Sequence, residues 1–336
     1  MKILFIGGTG IISTAVSKLV LKKNDELYVL NRGNNNNKLP KGVKFLKGDI
    51  NNEEEIKDLL KGYYFDAVVQ WIAYTPEQVK RDYNIFNGLT KQYVFISSAS
   101  AYQKPVPTYP ITEEVPLDNP YWDYSDNKKQ CEEYLQSISS DDFNVTIIRP
   151  SHTYDEELLI YILTAHGKPM TQIDRILKGK KVIIPGDGTS LWTITYNADF
   201  AVGFIEVLGN PKAYNEAFHI TSNIYYTWEQ INEIICNVLG VKPNVIHIPT
   251  DFIVKYAPQF EGGLKGDKMW SGIFDNSKIK KLAPNFNPQT RYEDIVPIQI
   301  KRIMENPDLQ TIDYEHNDII DKIISEYEAR INSNWL

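Results

Sequence analysis

The first fourteen residues, Met1-Lys-Ile-Leu-Phe-Ile-Gly-Gly-Thr-Gly-Ile-Ile-Ser-Thr14, constrain this chain most, because an apolar run ends there in glycines and passes straight into a helical pattern. Lys2–Ile6 has the length and branched apolar character of a buried parallel strand. Gly7, Gly8 and Gly10 follow where a chain leaving such a strand must turn sharply, and Ile11, Ile12, Val16, Leu19 and Val20 then recur at helical spacing. A glycine turn in that position leaves unpaired backbone N–H groups at the positive end of a helix dipole, a place suited to a pyrophosphate. Without side chains in the way, the phosphate can reach the backbone. The stretch therefore predicts a dinucleotide site contacted by Gly7, Thr9, Gly10, Ile11 and Ile12.

Strands and helices continue to alternate. Residues 26–31, 43–46, 65–73, 93–97 and 144–149 read as strands, and 52–60, 76–91 and 121–137 as helices. The asparagine-rich tract 33–41 reads as a solvated loop. Parallel strands need crossovers, so this alternation predicts an α/β parallel sheet with helices on both faces, whose ligands bind at the strands' carboxyl ends. A chain of 336 residues exceeds the usual single core, which makes an appended smaller domain the expectation. We place the dinucleotide domain at 1–150 and a mixed α/β substrate domain at 151–336, with about 195–222 returning to the large sheet. Within the second half, 156–177 reads as a helix interrupted at Gly167-Lys-Pro169. Residues 182–184 and 217–220 read as strands, and 199–208, 228–239, 275–282, 295–304 and 317–331 as helices.

Composition removes several classes of function. The net charge of −7, with lysines scattered among acids, disfavours a dedicated nucleic-acid-binding protein. Two cysteines far apart, Cys131 and Cys236, form no disulfide framework, and the five histidines show no metal-ligand spacing, so no metal is expected. The chain starts directly in a strand rather than a signal peptide, and no apolar run approaches membrane-spanning length. A cytoplasmic protein with a small-molecule substrate, and no membrane contact, is the expectation.

A second cofactor signal lies at the end of the second strand. In dinucleotide folds an acidic residue about 20 positions past the glycines holds the ribose 2′-hydroxyl. Here Asn31 stands there, followed by Arg32. An uncharged amide beside a guanidinium suits a 2′-phosphate, so NAD(P) is the expected cofactor, with NADP favoured over NAD. Asp49, after the third strand, is placed to hydrogen-bond the adenine, with Ile50 against its face; a plain helix-preceding turn is the other role open to Asp49.

The chemistry is carried by Ser98 at the end of the fifth strand and by Tyr124 and Lys128, four apart on one helical face. A free phenol loses its proton only near pH 10. A nearby ammonium, helped by a positive nicotinamide ring, favours phenolate, so Tyr124 could take a proton from a substrate hydroxyl at neutral pH. Lys128 could also hold the nicotinamide ribose, while Ser98 orients the substrate oxygen. Trp71, Tyr74 and Trp192 could line the cleft, though packing explains them equally well; His152 could line its nicotinamide end, but a loop histidine with a backbone partner is the favoured role for it. Cys131 reads as a small core residue.

Taken together, Gly7-Gly-Thr-Gly-Ile-Ile-Ser13, Gly48-Asp49, Phe95-Ile-Ser-Ser-Ala-Ser-Ala-Tyr102, Tyr124 to Lys128, Arg149-Pro150 and Ile184-Pro-Gly-Asp-Gly188 resemble the extended short-chain dehydrogenase/reductases, and within them the NAD-dependent epimerase/dehydratase family. The resemblance covers about residues 1–285. It implies a Rossmann-type doubly wound sheet, a nicotinamide cofactor and a Ser98–Tyr124–Lys128 triad. It also implies a homodimer made by pairing the helices near 76–91 and 121–137. The implied activity is an oxidoreductase of the epimerase/dehydratase type, acting by hydride transfer on a hydroxyl or ketone of a sugar or sugar-nucleotide-like substrate. An NADPH-dependent carbonyl reductase is the first alternative, and a regulatory or RNA-binding relative that keeps the cofactor fold is the second. Three departures qualify the resemblance. Ser13 replaces the third glycine, Trp192 stands where sugar-nucleotide epimerases place a phosphate-binding arginine, and only Lys265 is basic in Gly263-Leu-Lys-Gly-Asp267 where a second arginine belongs. Losing both arginines argues against an ordinary UDP-sugar.

Overall fold

The apolar strand β1 (Lys2–Ile6) is paired on both edges, which is why it tolerates no outward polar face. It pairs in parallel with β2 (Glu26–Asn31) on one side and β4 (Ala67–Gln70) on the other, with Ile3 in register with Leu27 and Ala67. In this computed structural model, which describes residues 1–333, β3 (Lys44–Lys47) continues the sheet beyond β2. On the other side lie β5 (Gln92–Ile96), β6 (Asn144–Pro150) and β10 (Glu216–Ile220), giving the order β10-β6-β5-β4-β1-β2-β3 with every pairing parallel. The order reverses between β1 and β4, the point where such sheets open a crevice for a ligand.

Helices cover both faces. On one, α1 (Ile11–Lys22) and α6 (Asn197–Ile205) bury Val16, Val20, Phe200 and Phe204 against Ile3, Phe5, Val29 and Val94. On the other, α2 (Glu53–Leu59), α3 (Pro76–Phe86) and α4 (Asp123–Ile138) bury Ile56, Val79, Phe86 and Leu135 against Leu4, Val68 and Phe95. Fully burying one such side chain contributes roughly 1.5–3 kcal/mol, so these two layers hold the helices against the sheet.

The segment returning to the sheet is β10 together with α6, and a later stretch joins it: Ile279, Ala283 and Phe286 share the α1–α6 core. The rest of the second half has its own core, with Trp192, Trp228, Ile231, Tyr292 and Ile323 among its buried members. It contains a sheet of β7 (His152–Tyr154), β9 (Leu191–Tyr196) and β11 (Tyr225–Thr227), and a pair of β8 (Val182–Pro185) with β12 (Val245–Ile248). Beyond them lie the helices α7 (Trp228–Leu239) and α8 (Thr250–Tyr256), then Ser277–Leu282, Tyr292–Glu305 and Tyr314–Ser333.

One expected element is absent. Of the helix expected over 156–177, only α5 (Met170–Leu177) forms; 155–169 runs as turns. Leu159, Ile160, Tyr161, Ile162 and Leu163 are all buried, so the run has no polar face to turn outward as an amphipathic helix does. Side chains from distant elements satisfy its backbone instead: Tyr292 Oη accepts from Ile160 N at 2.9 Å, and Gln299 Nε2 donates to the carbonyls of Asp155 and Leu158 at 2.6 and 2.8 Å. The strands β7, β9, β11 and β12 and the helix α8 have no counterpart among the expected elements, and the remaining differences are at ends. The fourth strand is Ala67–Gln70 rather than 65–73, and α3 stops at Phe86, before Asn87-Gly88, rather than at 91.

Candidate active site

The glycine turn takes the form its residues dictate. Gly7 and Gly8 have φ of +95° and +101°, where a side chain is strained, and a Cβ on Gly8 would meet Val29 Cγ1 at 3.1 Å. Ser13, at the third glycine position, is 2 % exposed and works as a cap: its Oγ accepts from Gly10 N at 2.9 Å and donates to Gly10 O at 3.2 Å. The helix therefore keeps its start with serine in place. The N–H groups of Ile11 and Ile12 have no partner among the described residues, and the first turn of α1 carries no acid. A pyrophosphate fits that cradle on both counts, steric and electrostatic.

Gly7, Thr9, Gly10, Ile11 and Ile12 line one cavity of about 800 Å³ that also contains Ser98, Tyr124 and Lys128. The structure thus brings the amino-terminal turn together with three residues more than eighty positions away. Trp71, Tyr74, His152 and Trp192 line it too. Asn31, Arg32, Asp49 and Ile50 do not; they stand at the carboxyl ends of β2 and β3, off the cavity wall. Asn31 ties the loops there, accepting from Gly33 N at 2.6 Å and donating to Gly7 O at 3.4 Å. Arg32 is exposed and makes no hydrogen bond or ion pair with the described residues. Asp49 accepts from the backbone N and Nδ2 of Asn51, each at 3.0 Å, a turn-forming role, while Ile50 is buried.

Ser98 caps a short turn, Ala99–Ala101, and its Oγ lies 2.9 Å from Ser100 Oγ, which also accepts from Ser125 Oγ at 2.9 Å. This chain of hydroxyls links the end of β5 to α4, the helix that carries Tyr124 and Lys128. Burial pushes the Tyr124 phenol up to about 12, and a hydrogen bond with Ser98 pulls against that. Lys128 is 2 % exposed and donates to the carbonyls of Ala73 and Ile96 at 2.8 and 2.7 Å. Its Nζ lies 4.7 Å from the ring centres of Tyr74 and Phe95 and 5.7 Å from that of Tyr124. Burial pushes Lys128 down to about 8. In the protein alone, then, burial dominates, and the phenol is not lowered as the spacing of the pair suggests.

A second group in the cavity escaped sequence reasoning. Lys104, Asp267, Trp122 and Trp270 line its far end. They come from three separate segments with no shared spacing, so no linear pattern announces them. Lys265, the cation that the sequence singles out, instead pairs with Asp251 and Glu261 at 2.9 and 3.0 Å and is not on the wall. No arginine lines the cavity among the described residues. His152 packs 5.0 Å from Trp192, ring to ring, and burial pushes it down to about 3, so it is neutral. Cys131 and Cys236 are buried, and no group of three or more metal-ligating side chains gathers among the described residues. Within the same residues no helix is long and apolar enough to cross a membrane.

Arg149 braces the site from behind. It is 5 % exposed and bonds Glu132 of α4 through Nε at 3.1 and 3.2 Å and Nη2 at 2.6 Å, with Tyr102 Oη and Glu113 O on Nη1. Tyr102 Oη in turn meets His219 Nδ1 at 3.1 Å. The network anchors α4, β6 and the turn after Ser98 to one another.

The chain is similar to several known proteins. The chain is 28% identical over 270 residues to the chloroplast stem-loop binding protein of 41 kDa b from Arabidopsis thaliana, covering 75% of this chain and 67% of that one. It is 21% identical over 287 residues to 2'-dehydrokanamycin reductase of Streptomyces kanamyceticus, covering 85% and 80%. Among solved structures, the epimerase Mth375 of Methanothermobacter thermautotrophicus has the same fold, with a TM-score of 0.72 at 15% identity over 92% of this chain and 94% of that one. A sequence model described as the NAD dependent epimerase/dehydratase family matches residues 3–221. With that match over more than half its length, this chain belongs to the NAD-dependent epimerase/dehydratase family of enzymes.

Proposed function

We propose that the protein is an NAD(P)-dependent oxidoreductase acting on a hydroxyl or ketone carbon of a sugar-like substrate, with Tyr124 as the acid–base. The observation that carries this reading is the shared cavity: the glycine turn, Ser98, Tyr124 and Lys128 all line it. When bound, the nicotinamide supplies the hydride donor or acceptor and, oxidised, a positive charge. Ser98 Oγ orients the reacting oxygen, and Tyr124 Oη takes its proton on oxidation or returns it on reduction. Lys128 has spent two of its three N–H donors on Ala73 and Ile96, which leaves one for the cofactor ribose.

Magnitudes decide how the phenol is activated. Bringing Tyr124 from about 12 to neutrality takes roughly 7 kcal/mol at about 1.36 kcal/mol per unit. The value of about 12 already stands with Lys128 in place, its Nζ 5.7 Å from the ring centre, so Tyr124 works as a base only with cofactor in place.

Arg32, exposed at the end of β2 without a partner among the described residues, supports NADP over NAD. The similarity to a reductase of 2'-dehydrokanamycin supports the variant in which cofactor exchanges with solvent. The family resemblance, which pairs these helices from two copies, supports a homodimer formed through α3 and α4. Identification of the nucleotide that co-purifies, followed by turnover assays of Tyr124→Phe, tests the central reading; unchanged turnover in that variant would remove Tyr124 from its role. A second reading, an RNA-binding relative, rests on the similarity to the stem-loop binding protein. Salt-dependent RNA binding with no turnover of any sugar or carbonyl would put it first.

A further inference from the structure

The far end of the cavity holds two opposite charges that do not meet. Lys104 is 7 % exposed, and its Nζ has no hydrogen-bond or ion-pair partner among the described residues; Asp267 has none either, and the two act on each other only across space. Both line the cavity. Lys104 is buried and Asp267 half-buried on the same wall, and because neither charged group is met by a protein partner, both are free to bond a ligand in the cavity.

Their placement is held on both sides. Lys104 follows the Ser98 turn, and its backbone N donates to Asp118 O at 2.9 Å. Asp267 sits in the turn Leu264–Lys268. Asn119, 6 % exposed, joins the two regions, its Nδ2 donating at 2.7 Å to both Ser100 O and Gly266 O. Trp122, two residues before Tyr124, packs so tightly on that turn that a Cβ on Gly266 would meet its Cβ at 2.7 Å. Trp270 is fixed by its Nε1 donating to Lys265 O at 2.7 Å. The end wall is thus one cation, one carboxylate and two indoles, built against the catalytic turn.

We propose that Lys104 and Asp267 recognise a neutral vicinal diol on a glycosyl unit without phosphate, one hydroxyl donating to the carboxylate and its neighbour accepting from the ammonium, with the sugar's C–H face on Trp122 or Trp270. The inference deepens the proposed oxidoreductase and rests on it. Neutrality follows from the charges: the pair sums to zero, so an anion binding there faces Asp267, and a cation faces Lys104. A diphosphate needs fixed cations, and the remaining lysine nearby, Lys268, is turned to the carbonyl of Ile162 at 3.1 Å and is off the wall. A diol offers both a donor and an acceptor at adjacent carbons, which matches two unpartnered groups of opposite kind.

The test is a tryptophan-fluorescence titration of the full chain at saturating cofactor with the methyl glycosides of glucose, galactose and mannose, and with UDP-glucose. At least one methyl glycoside should quench saturably and bind more tightly than UDP-glucose. Asp267→Asn and Lys104→Met should each weaken it by about tenfold or more. In turnover with a sugar that reacts, each should raise KM by a similar factor with kcat nearly unchanged, which a folding defect does not produce. Lys265→Met, off the wall, should change neither. Tighter binding of UDP-glucose, no binding of any methyl glycoside, or unchanged affinity in both Asp267→Asn and Lys104→Met would each overturn the proposal. Binding read against turnover separates the two readings: glycoside binding without turnover in wild type sinks the oxidoreductase and leaves the diol site standing, whereas turnover with unaltered KM in the Lys104 and Asp267 variants does the reverse.

Discussion

Replacing Glu132 by glutamine tests the brace behind the active site. Glu132 is 1 % exposed and takes three contacts of 2.6 to 3.2 Å from Arg149, itself 5 % exposed. The amide keeps the shape but removes the negative charge and points a donor at a guanidinium that stays charged. Removing one partner of a buried ion pair costs about 3–5 kcal/mol, because the other is left uncompensated. At about 2 °C per kcal/mol for a chain of this size, the midpoint of thermal unfolding should fall by roughly 6–10 °C. Urea unfolding should show a lower midpoint with an unchanged slope. The double variant Glu132→Leu with Arg149→Met should recover part of the loss, since a buried pair replaced by apolar groups is often neutral. Recovery is incomplete because Arg149 also serves Tyr102 Oη and Glu113 O, and those groups lose a donor worth about 1–3 kcal/mol. A single variant within about 1 kcal/mol of wild type, or a double variant less stable than Glu132→Gln, would refute the reasoning.

Other outcomes follow from the same geometry. Lys128→Met removes the ammonium that donates to the Ala73 and Ile96 carbonyls and should lower kcat by about a hundredfold or more, read in steady-state assays. Two groups should shape the pH profile of kcat/KM. Asp267, pushed up to about 6 by burial against the pull of Lys104 and Lys268, is an acceptor only above that value, so activity should fall as pH drops through about 6, and this limb should vanish in Asp267→Asn. Lys128, pushed down to about 8 by burial against Cys131 and Glu132, loses its charge above that value, which should close the profile on the alkaline side. Gly8→Ala, at φ +101° and 3.1 Å from Val29 Cγ1, should cost about 1–3 kcal/mol in stability and weaken cofactor binding by calorimetry. Arg32→Ala should weaken NADP by about tenfold while leaving NAD nearly unchanged; an equal loss for both would remove the 2′-phosphate role from Arg32.

Local pattern by itself determined the dinucleotide half. A strand ending in glycines before a helix has few alternatives, and the recurrence of strand and helix up to Pro150 leaves only a parallel sheet, so β1, α1, the order of elements and the Tyr124–Lys128 pair were legible from spacing. What tertiary structure alone decided has two causes. Side-chain partners from distant elements overrode helical appearance at 155–169, where Tyr292 and Gln299 satisfy backbone groups and the buried run Leu159–Leu163 has no polar face to turn outward. Backbone pairing at a distance also made strands of three and four residues, β7, β11 and β12, too short to show a period. The end wall of the cavity is the second case: Lys104, Trp122 and Asp267 lie far apart along the chain and share no motif. They converge because Asn119 and the glycines near 262–266 let the late turn close over the start of α4, and a charge becomes a recognition group only once folding has removed its water and left it without a partner.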